Sequence, residues 1–231
     1  MADVPDPLTL GALPLFRGLP SAHLSSLRGL LRLKECRAGA PLIVAGAAGE
    51  VVYVILEGTV KIYLEQKDGT AVILALLGAG DTVGEMSPSD NSGRSADVAT
   101  LEDSRLLWMS KDDFRRCLRE MPVMACNLVA ILSSRLRAAN EQIMALASLE
   151  VESRVARQLL ALAARFGRVT EGGDVVVPVR LTQGDLACMV GASRERINQI
   201  IVSYKERRYI SSDRRHHIVI HNRQALLKQC V

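Results

Sequence analysis

The sequence predicts an α+β protein in three successive parts: a β-rich N-terminal half, one long helix, and a C-terminal winged helix-turn-helix. Three observations carry this. Short β-branched runs alternate with Gly turns between residues 36 and 109. After Pro122 a stretch free of Gly and further Pro runs to about Leu149. Two short amphipathic segments then meet at Gly191, with apolar triplets on either side of them. The expected boundaries are 1–121, 122–149 and 150–231.

Residues 8–34 open the chain with Leu13, Leu15 and Phe16, then Leu24, Leu27, Leu30 and Leu31, at helical spacing. Strands are expected at Leu42-Ile43-Val44, from Val51 to Leu56, from Val60 to Leu64, at Val72-Ile73-Leu74 and from Leu106 to Met109. Turn signals stand between them at Ala45-Gly46, Glu57-Gly58, Lys67-Asp68-Gly69 and from Gly78 to Asp81. Such spacing suits a sandwich or barrel. Pro122 is well placed to begin a helix. Leu132, Ala139 and Leu146 recur every seven residues, which suits a two-stranded coiled coil, with Arg135 and Gln142 interrupting the other seam. A buried helix within one domain is the alternative. A further helix is expected over Val151–Phe166, ended by Gly167.

The chain of 231 residues is long enough for one or two domains with cores of their own. Residues 1–149 hold 15 Lys and Arg against 17 Asp and Glu, a net of −2. Residues 150–231 hold 14 against 8, a net of +6. A basic C-terminal third on a mildly acidic body is the footprint of a nucleic-acid-binding module, with chance asymmetry as the alternative. There is no apolar run of membrane-spanning length and no signal-peptide pattern at the N-terminus. Cys36, Cys117, Cys126, Cys188 and Cys230 are scattered without a CxxC pair. They are expected as reduced thiols in a cytoplasmic protein, with Cys188 in a core.

Gly191 suits the left-handed residue that ends a helix, and Ser193 the N-cap of the next. Thr182 and Asp185 have capping-box spacing, with Asp in place of Glu or Gln. The second helix opens Arg194-Glu195-Arg196. Two helices around a tight turn, the second beginning with forked polar side chains, form a helix-turn-helix whose second helix suits the DNA major groove. A surface hairpin with a charged face is the bland alternative. Val175–Val177 and Ile218–Ile220 are expected as strands. The basic turn between Ile210 and Ile218, with Arg214 and Arg215, reads as a wing able to touch phosphates.

A second constellation lies in the β-rich half. Gly84-Glu85-Met86 is followed by Arg94-Ser95-Ala96. Gly permits close backbone approach, Glu accepts from sugar hydroxyls, and Arg with Ser suits a phosphate. Glu85 and Arg94 as a salt-bridged loop pair is the other reading.

With both motifs in this order, the chain resembles the bacterial Crp/Fnr family of transcription factors, and within it the cyclic-AMP receptor branch. The resemblance covers nearly the whole length. It implies a cyclic-nucleotide-binding β-roll, jelly-roll-like, as sensor, a long dimerisation helix, and a winged helix-turn-helix that binds DNA. It implies cyclic AMP as ligand. Glu85 would meet the ribose hydroxyl, and Arg94 the cyclic phosphate, helped by Ser95 and the backbone around Gly84. Met86 and Ala96 complete the cassette, and Leu74 and Leu77 would line the purine. Where the cyclic-AMP receptor has adjacent Thr and Ser facing the base, Ala139 and Asn140 stand here. Asn140 can still hydrogen-bond and Ala139 cannot.

On the DNA side the resemblance places Arg194 on a guanine and Glu195 on a cytosine amine. Gln199 stands where the family has an Arg, and Gln suits adenine or a phosphate. Arg196 is an added cation, and Thr182, Gln183 and Ser193 complete the interface. The implied partners are a palindromic duplex with TGTGA-like half-sites, a second copy of the chain, and RNA polymerase, with no membrane. Rival readings are a ligand-independent family member, favoured by Ala139, a redox or haem sensor, and an enzyme using Glu85 and Asp97. The scattered cysteines and the positions of His23, His216, His217 and His221 argue against the second. The lack of a catalytic triad or metal motif argues against the third, so no catalytic or metal-ligating residue is expected.

Overall fold

A computed structural model describes residues 4–66, 69–90, 93–213 and 217–230, residue 90 by its backbone. It divides into two compact units: residues 1–64 with 75–138, and residues 65–74 with 139–231.

The first unit begins with α1 (Pro7–Ala12), a 3-10 turn (Pro14–Phe16) and α2 (Ser21–Leu30). Asp6 caps α1, its Oδ1 accepting from the Leu8 amide at 2.8 Å. The helical spacing expected to residue 34 ends earlier, because Leu31 leaves the helix with extended backbone and β1 (Arg32–Cys36) starts at once. The roll follows: β2 (Pro41–Ile43), β3 (Val51–Glu57), β4 (Val60–Glu65), β5 (Ala71–Leu77), β6 (Thr82–Val83), the short α3 (Met86–Asp90), β7 (Asp97–Thr100) and β8 (Ser104–Ser110). Two four-stranded sheets result, ordered β1-β8-β3-β6 and β2-β7-β4-β5.

The run from Val51 to Leu56 is apolar throughout because both faces of β3 are buried. Tyr53 and Ile55 join Ile43, Val60, Leu77, Val83, Val98 and Leu106 between the sheets. Val52 and Val54 face the other way, with Leu107 and Met109 of β8. They pack on Leu15, Phe16 and Leu27, and on Phe114 of α4 (Lys111–Glu120). Strands β1, β6 and β7 were not expected. β1 carries Arg32, Lys34 and Glu35 among its five residues and exposes Arg32 and Glu35, and β6 is two residues long.

α5 spans Pro122–Ser148. Met124 and Leu128 are buried in the helix-covered core, with Ile131 and Leu132 packed partly against it. Val129, Leu136 and Ile143 are 63, 63 and 62% exposed and recur every seven residues. They form an exposed apolar stripe, while Leu128 lies in the core and Arg135 and Gln142 hydrogen-bond to Glu85 and Met189.

In the second unit α6 (Val151–Phe166) carries Val155, Ala156, Leu159 and Leu162 on one buried face. After β9 (Arg168–Val169) and β10 (Val175–Val177) come α7 (Gln183–Val190), α8 (Arg194–Glu206), β11 (Ile210–Ser212), β12 (Ile218–Ile220) and α9 (Arg223–Lys228). The third sheet is ordered β11-β12-β10-β9. Tyr204, fully buried, donates its hydroxyl to the Glu152 carbonyl at 3.1 Å and so fixes α8 on α6. All five cysteines are free. Cys188 is half-buried, not in the core, because Leu186, Ala187, Met189 and Val190 supply the inward positions of α7. No single helix among the described residues is long and apolar enough to cross a membrane.

Candidate functional site

The Gly84–Arg94 cassette is built around a buried cation. Arg94 is 7% exposed, and its two Nη atoms donate to the carbonyls of Gly84 at 2.7 Å and Val51 at 2.5 Å. Its own backbone is fixed as well. Arg94 donates its amide to Ala47 O at 3.0 Å and accepts from Gly46 N at 2.9 Å. Gly84 has φ +84°, and a Cβ there would stand 2.7 Å from Arg94 Nη1 and 3.0 Å from Val51 O. Only glycine gives both the turn and the room. Gly49 has a matching role that sequence reading missed, since a Cβ there would lie 2.3 Å from Ser87 Cβ.

Glu85 is 2% exposed. Its Oε1 accepts from Arg135 Nη1 at 2.8 Å, and Arg135 Nη2 also donates to the Thr82 carbonyl. Among the described residues, Glu85 Oε2 and Thr82 Oγ1 are buried without a hydrogen-bond partner. Burial pushes the Glu85 carboxyl above its ordinary pKa, opposed first by the Arg135 charge, then by a hydrogen bond from its own backbone and by the Arg94 charge. Burial lowers Arg94 from its usual value, opposed by Tyr53, Glu85 and Glu50. Arg135 was read as a flaw in a helical seam. It is part of this site, brought to Glu85 from α5, and local spacing carries no signal of it.

The remaining cassette residues divide. Met86 and Ser95 are exposed and touch each other, with Ser95 Oγ 3.8 Å from Met86 Sδ, while Ala96 is buried. Leu77 is 1% exposed within the core between the sheets. Leu74, 43% exposed, and Asn140, also exposed, fall in the second unit. Asp97 does not face Glu85 as a second carboxylate; its Oδ1 accepts from Ala45 N at 2.9 Å and holds the neighbouring turn. A buried acceptor at Glu85, the guanidinium of Arg94 nine residues on and a glycine-only approach fit a group with a hydroxyl and a phosphate.

In the second unit, Thr182 and Asp185 form a reciprocal capping box: Asp185 N to Thr182 Oγ1 and Thr182 N to Asp185 Oδ2, both 3.0 Å. Gly191 takes φ +64°, and Ser193 Oγ accepts from Arg196 N at 3.2 Å. Arg194, Glu195, Arg196, Asn198 and Gln199 are exposed on α8, while Ile197, Ile200, Ile201 and Tyr204 face inward. Gln183 Nε2 donates to Asn198 Oδ1 at 2.8 Å, and Arg196 Nη1 to Gln199 Oε1 at 3.3 Å.

The turn between α7 and α8 is tied down by Gln142, expected only as an interruption of a helical seam, and by Arg154, which the sequence did not single out. Gln142 Nε2 donates to Met189 O, and Arg154 Nη2 to Gly191 O, each at 3.2 Å. Arg214, Arg215 and His216 lie outside the described residues. Beside them, His217 Nδ1 pairs with Asp213 Oδ2 at 2.9 Å, closing the base of the wing. Among the described residues no group of three or more His, Cys, Asp or Glu is placed to hold a metal ion.

Comparison with known proteins places two family models on the chain: the cyclic nucleotide-binding domain over residues 33–121, and the Crp-like helix-turn-helix domain over 153–229. A CRP-like cAMP-activated global transcriptional regulator of Mycobacterium tuberculosis is 33% identical over 85% of this chain and 87% of its own length. A cyclic AMP receptor protein of Thermus thermophilus is 31% identical over 84% and 86%. Among solved structures, a CRP/FNR-family transcriptional regulator of Thermus thermophilus superposes with a TM-score of 0.71 at 25% identity, over 86% of this chain and 98% of the other. FixK2 of Bradyrhizobium japonicum shares the fold, with a TM-score of 0.76 at 19% identity over 87% and 98%.

Proposed function

The chain belongs to the Crp/Fnr family of DNA-binding transcriptional regulators, with a cyclic nucleotide-binding domain, and from that premise we propose that it is a homodimeric switch controlled by cyclic AMP. The observation that carries the ligand reading is the buried Glu85 carboxylate, with Oε2 unpartnered beside Arg94 and a glycine-only backbone. Glu85 Oε2 would accept from the ribose hydroxyl, and Arg94 with Ser95 would hold the cyclic phosphate. The nucleotide supplies charge and hydroxyl groups and undergoes no reaction.

Arg135 links the cassette to α5 through the Glu85 and Thr82 bonds. A ligand that engages Glu85 therefore acts on the helix whose Val129, Leu136 and Ile143 stripe would meet a second copy. Arg194 and Glu195 would read base edges of a palindromic, TGTGA-like site, and the protein would act on RNA polymerase from there as a regulator, not an enzyme.

A second reading has its own support. Arg94 already satisfies two carbonyls and Arg135 already occupies one oxygen of Glu85, so the chain holds its cassette in shape by itself. A regulator competent without ligand fits that, as does Ala139. Titration of a fluorescent palindromic duplex, with and without cyclic AMP at one stated salt concentration, separates the two. Tightening of about tenfold, roughly 1.4 kcal/mol of coupling, supports the switch. Tight binding indifferent to the nucleotide supports the second reading.

A further inference from the structure

The exposed face of α8 is unequal in what it offers a base pair. Asn198 Oδ1 already accepts from Gln183, and Gln199 Oε1 already accepts from Arg196. Arg can only donate, so its bond fixes which end of the Gln199 amide turns toward it. The Nε2 end is left to face outward. In the first two turns of α8, Glu195 is the one side chain whose oxygens accept from no protein donor among the described residues. Arg194, Asn198 and Gln199 present N–H groups, as do the remaining nitrogens of Arg196.

Resting on the reading of α8 as the base-reading helix, we infer that Arg196 is a specificity-determining residue that turns Gln199 from an adenine reader into a guanine reader. Adenine offers N7 as acceptor and N6 as donor, so an amide reads it by donating and accepting together. The Gln199 oxygen keeps a second lone pair, but Arg196 turns it toward the guanidinium and away from the groove, so that outward the pair offers N–H donors. Guanine, with N7 and O6 both acceptors, matches such a unit. Gln199 alone would favour adenine, and Arg196, its neighbour one helical turn away, reverses that choice without itself having to touch the base.

The test is selection of bound duplexes from a library randomised across both half-sites, with full-length protein at fixed salt. The wild type is compared with Arg196→Ala and Gln199→Ala. The base pair whose preference disappears in Gln199→Ala is the one Gln199 reads. There the wild type should select guanine, and Arg196→Ala should shift to adenine, with the ratio of the two affinities changing about tenfold. Preferences at the pairs read by Arg194 and Glu195 should not move.

Adenine at that pair in the wild type overturns the inference. So does an Arg196→Ala variant that weakens all sites alike with a salt slope lower by about one, the mark of a phosphate contact. If the wild type enriches no sequence at all, the base-reading role of α8 fails and the inference falls with it, an outcome distinct from both.

Discussion

Arg135 and Glu85, fifty positions apart, meet at 2.8 Å, and the carboxylate they share is 2% exposed. A buried carboxylate with one charged partner is costly to strand. Arg135→Leu removes the cation and leaves both Glu85 oxygens and the Thr82 carbonyl without a donor. Arg135 is itself a quarter exposed, so the full penalty of a buried pair does not apply. A loss of about 2 kcal/mol is expected in urea unfolding. Glu85→Gln made in the Arg135→Leu background should recover part of it, because a neutral amide is cheaper to bury. No recovery would mean that Arg135 acts through packing.

The same carboxyl sets a pH dependence. Burial raises its pKa in the folded protein above the ordinary 4.5. A raised carboxyl contributes stability that is fully present below the ordinary value and is lost as pH rises through the folded one. The wild type should therefore gain stability relative to Glu85→Gln as pH falls from neutral toward 4.5. Urea midpoints of the two proteins at a series of pH values read this. A difference that grows in the opposite direction would show that the Arg135 and Arg94 charges outweigh burial.

Arg94 holds two structural bonds besides its proposed ligand. Arg94→Leu strands the Gly84 and Val51 carbonyls inside the roll, at about 1–3 kcal/mol each. Loss of nucleotide binding in that variant would thus be mixed with loss of stability, and calorimetric binding should be measured beside thermal unfolding. Ser95→Ala is the cleaner test. Its side chain is exposed and among the described residues hydrogen-bonds only weakly, to the Met86 sulfur, so binding should weaken with the melting temperature unchanged.

What was legible in the sequence was local. Gly84, Gly191, Ser193 and the Thr182–Asp185 box each declare a backbone conformation or a cap through their own chemistry, and each stands as read. Arg135, Gln142 and Arg154 could not be read that way. Their partners are Glu85, Met189 and Gly191, remote in sequence, and a polar residue on a long helix looks the same whether it interrupts a seam or reaches a distant carbonyl. The exposed apolar stripe, Val129, Leu136 and Ile143, therefore falls one residue beyond the Leu128, Arg135 and Gln142 spacing. Strand β1 escaped because Arg32, Lys34 and Glu35 interrupt its apolar residues, and β7 because its largely buried run of four holds only one β-branched apolar residue, Val98, between Asp97 and Ala99.

The exposed stripe on α5 predicts the oligomer. Leu136 and Ile143 are 63 and 62% exposed, and apolar residues at heptad spacing suit a partner helix. Leu136→Glu with Ile143→Glu places two like charges in each copy of that seam. Light scattering at micromolar concentration should show a dimer for the wild type and a monomer for the double variant, with secondary structure retained. A double variant that stays dimeric would move the interface elsewhere.

Glu195 separates recognition from folding. It stands in the first turn of α8, exposed, and no protein donor among the described residues engages its oxygens. Its replacement by Ala should change stability by less than about 0.5 kcal/mol, as for a surface site away from packing. If its carboxylate accepts from a base amine, the same change should remove about 1–3 kcal/mol of discrimination at one base pair per half-site. The affinity for the best site would fall while that for the site mismatched at that pair stayed nearly constant. Uniform weakening across all sites would instead assign Glu195 to the backbone or to helix capping. Unfolding of the variant would contradict its exposed position on α8.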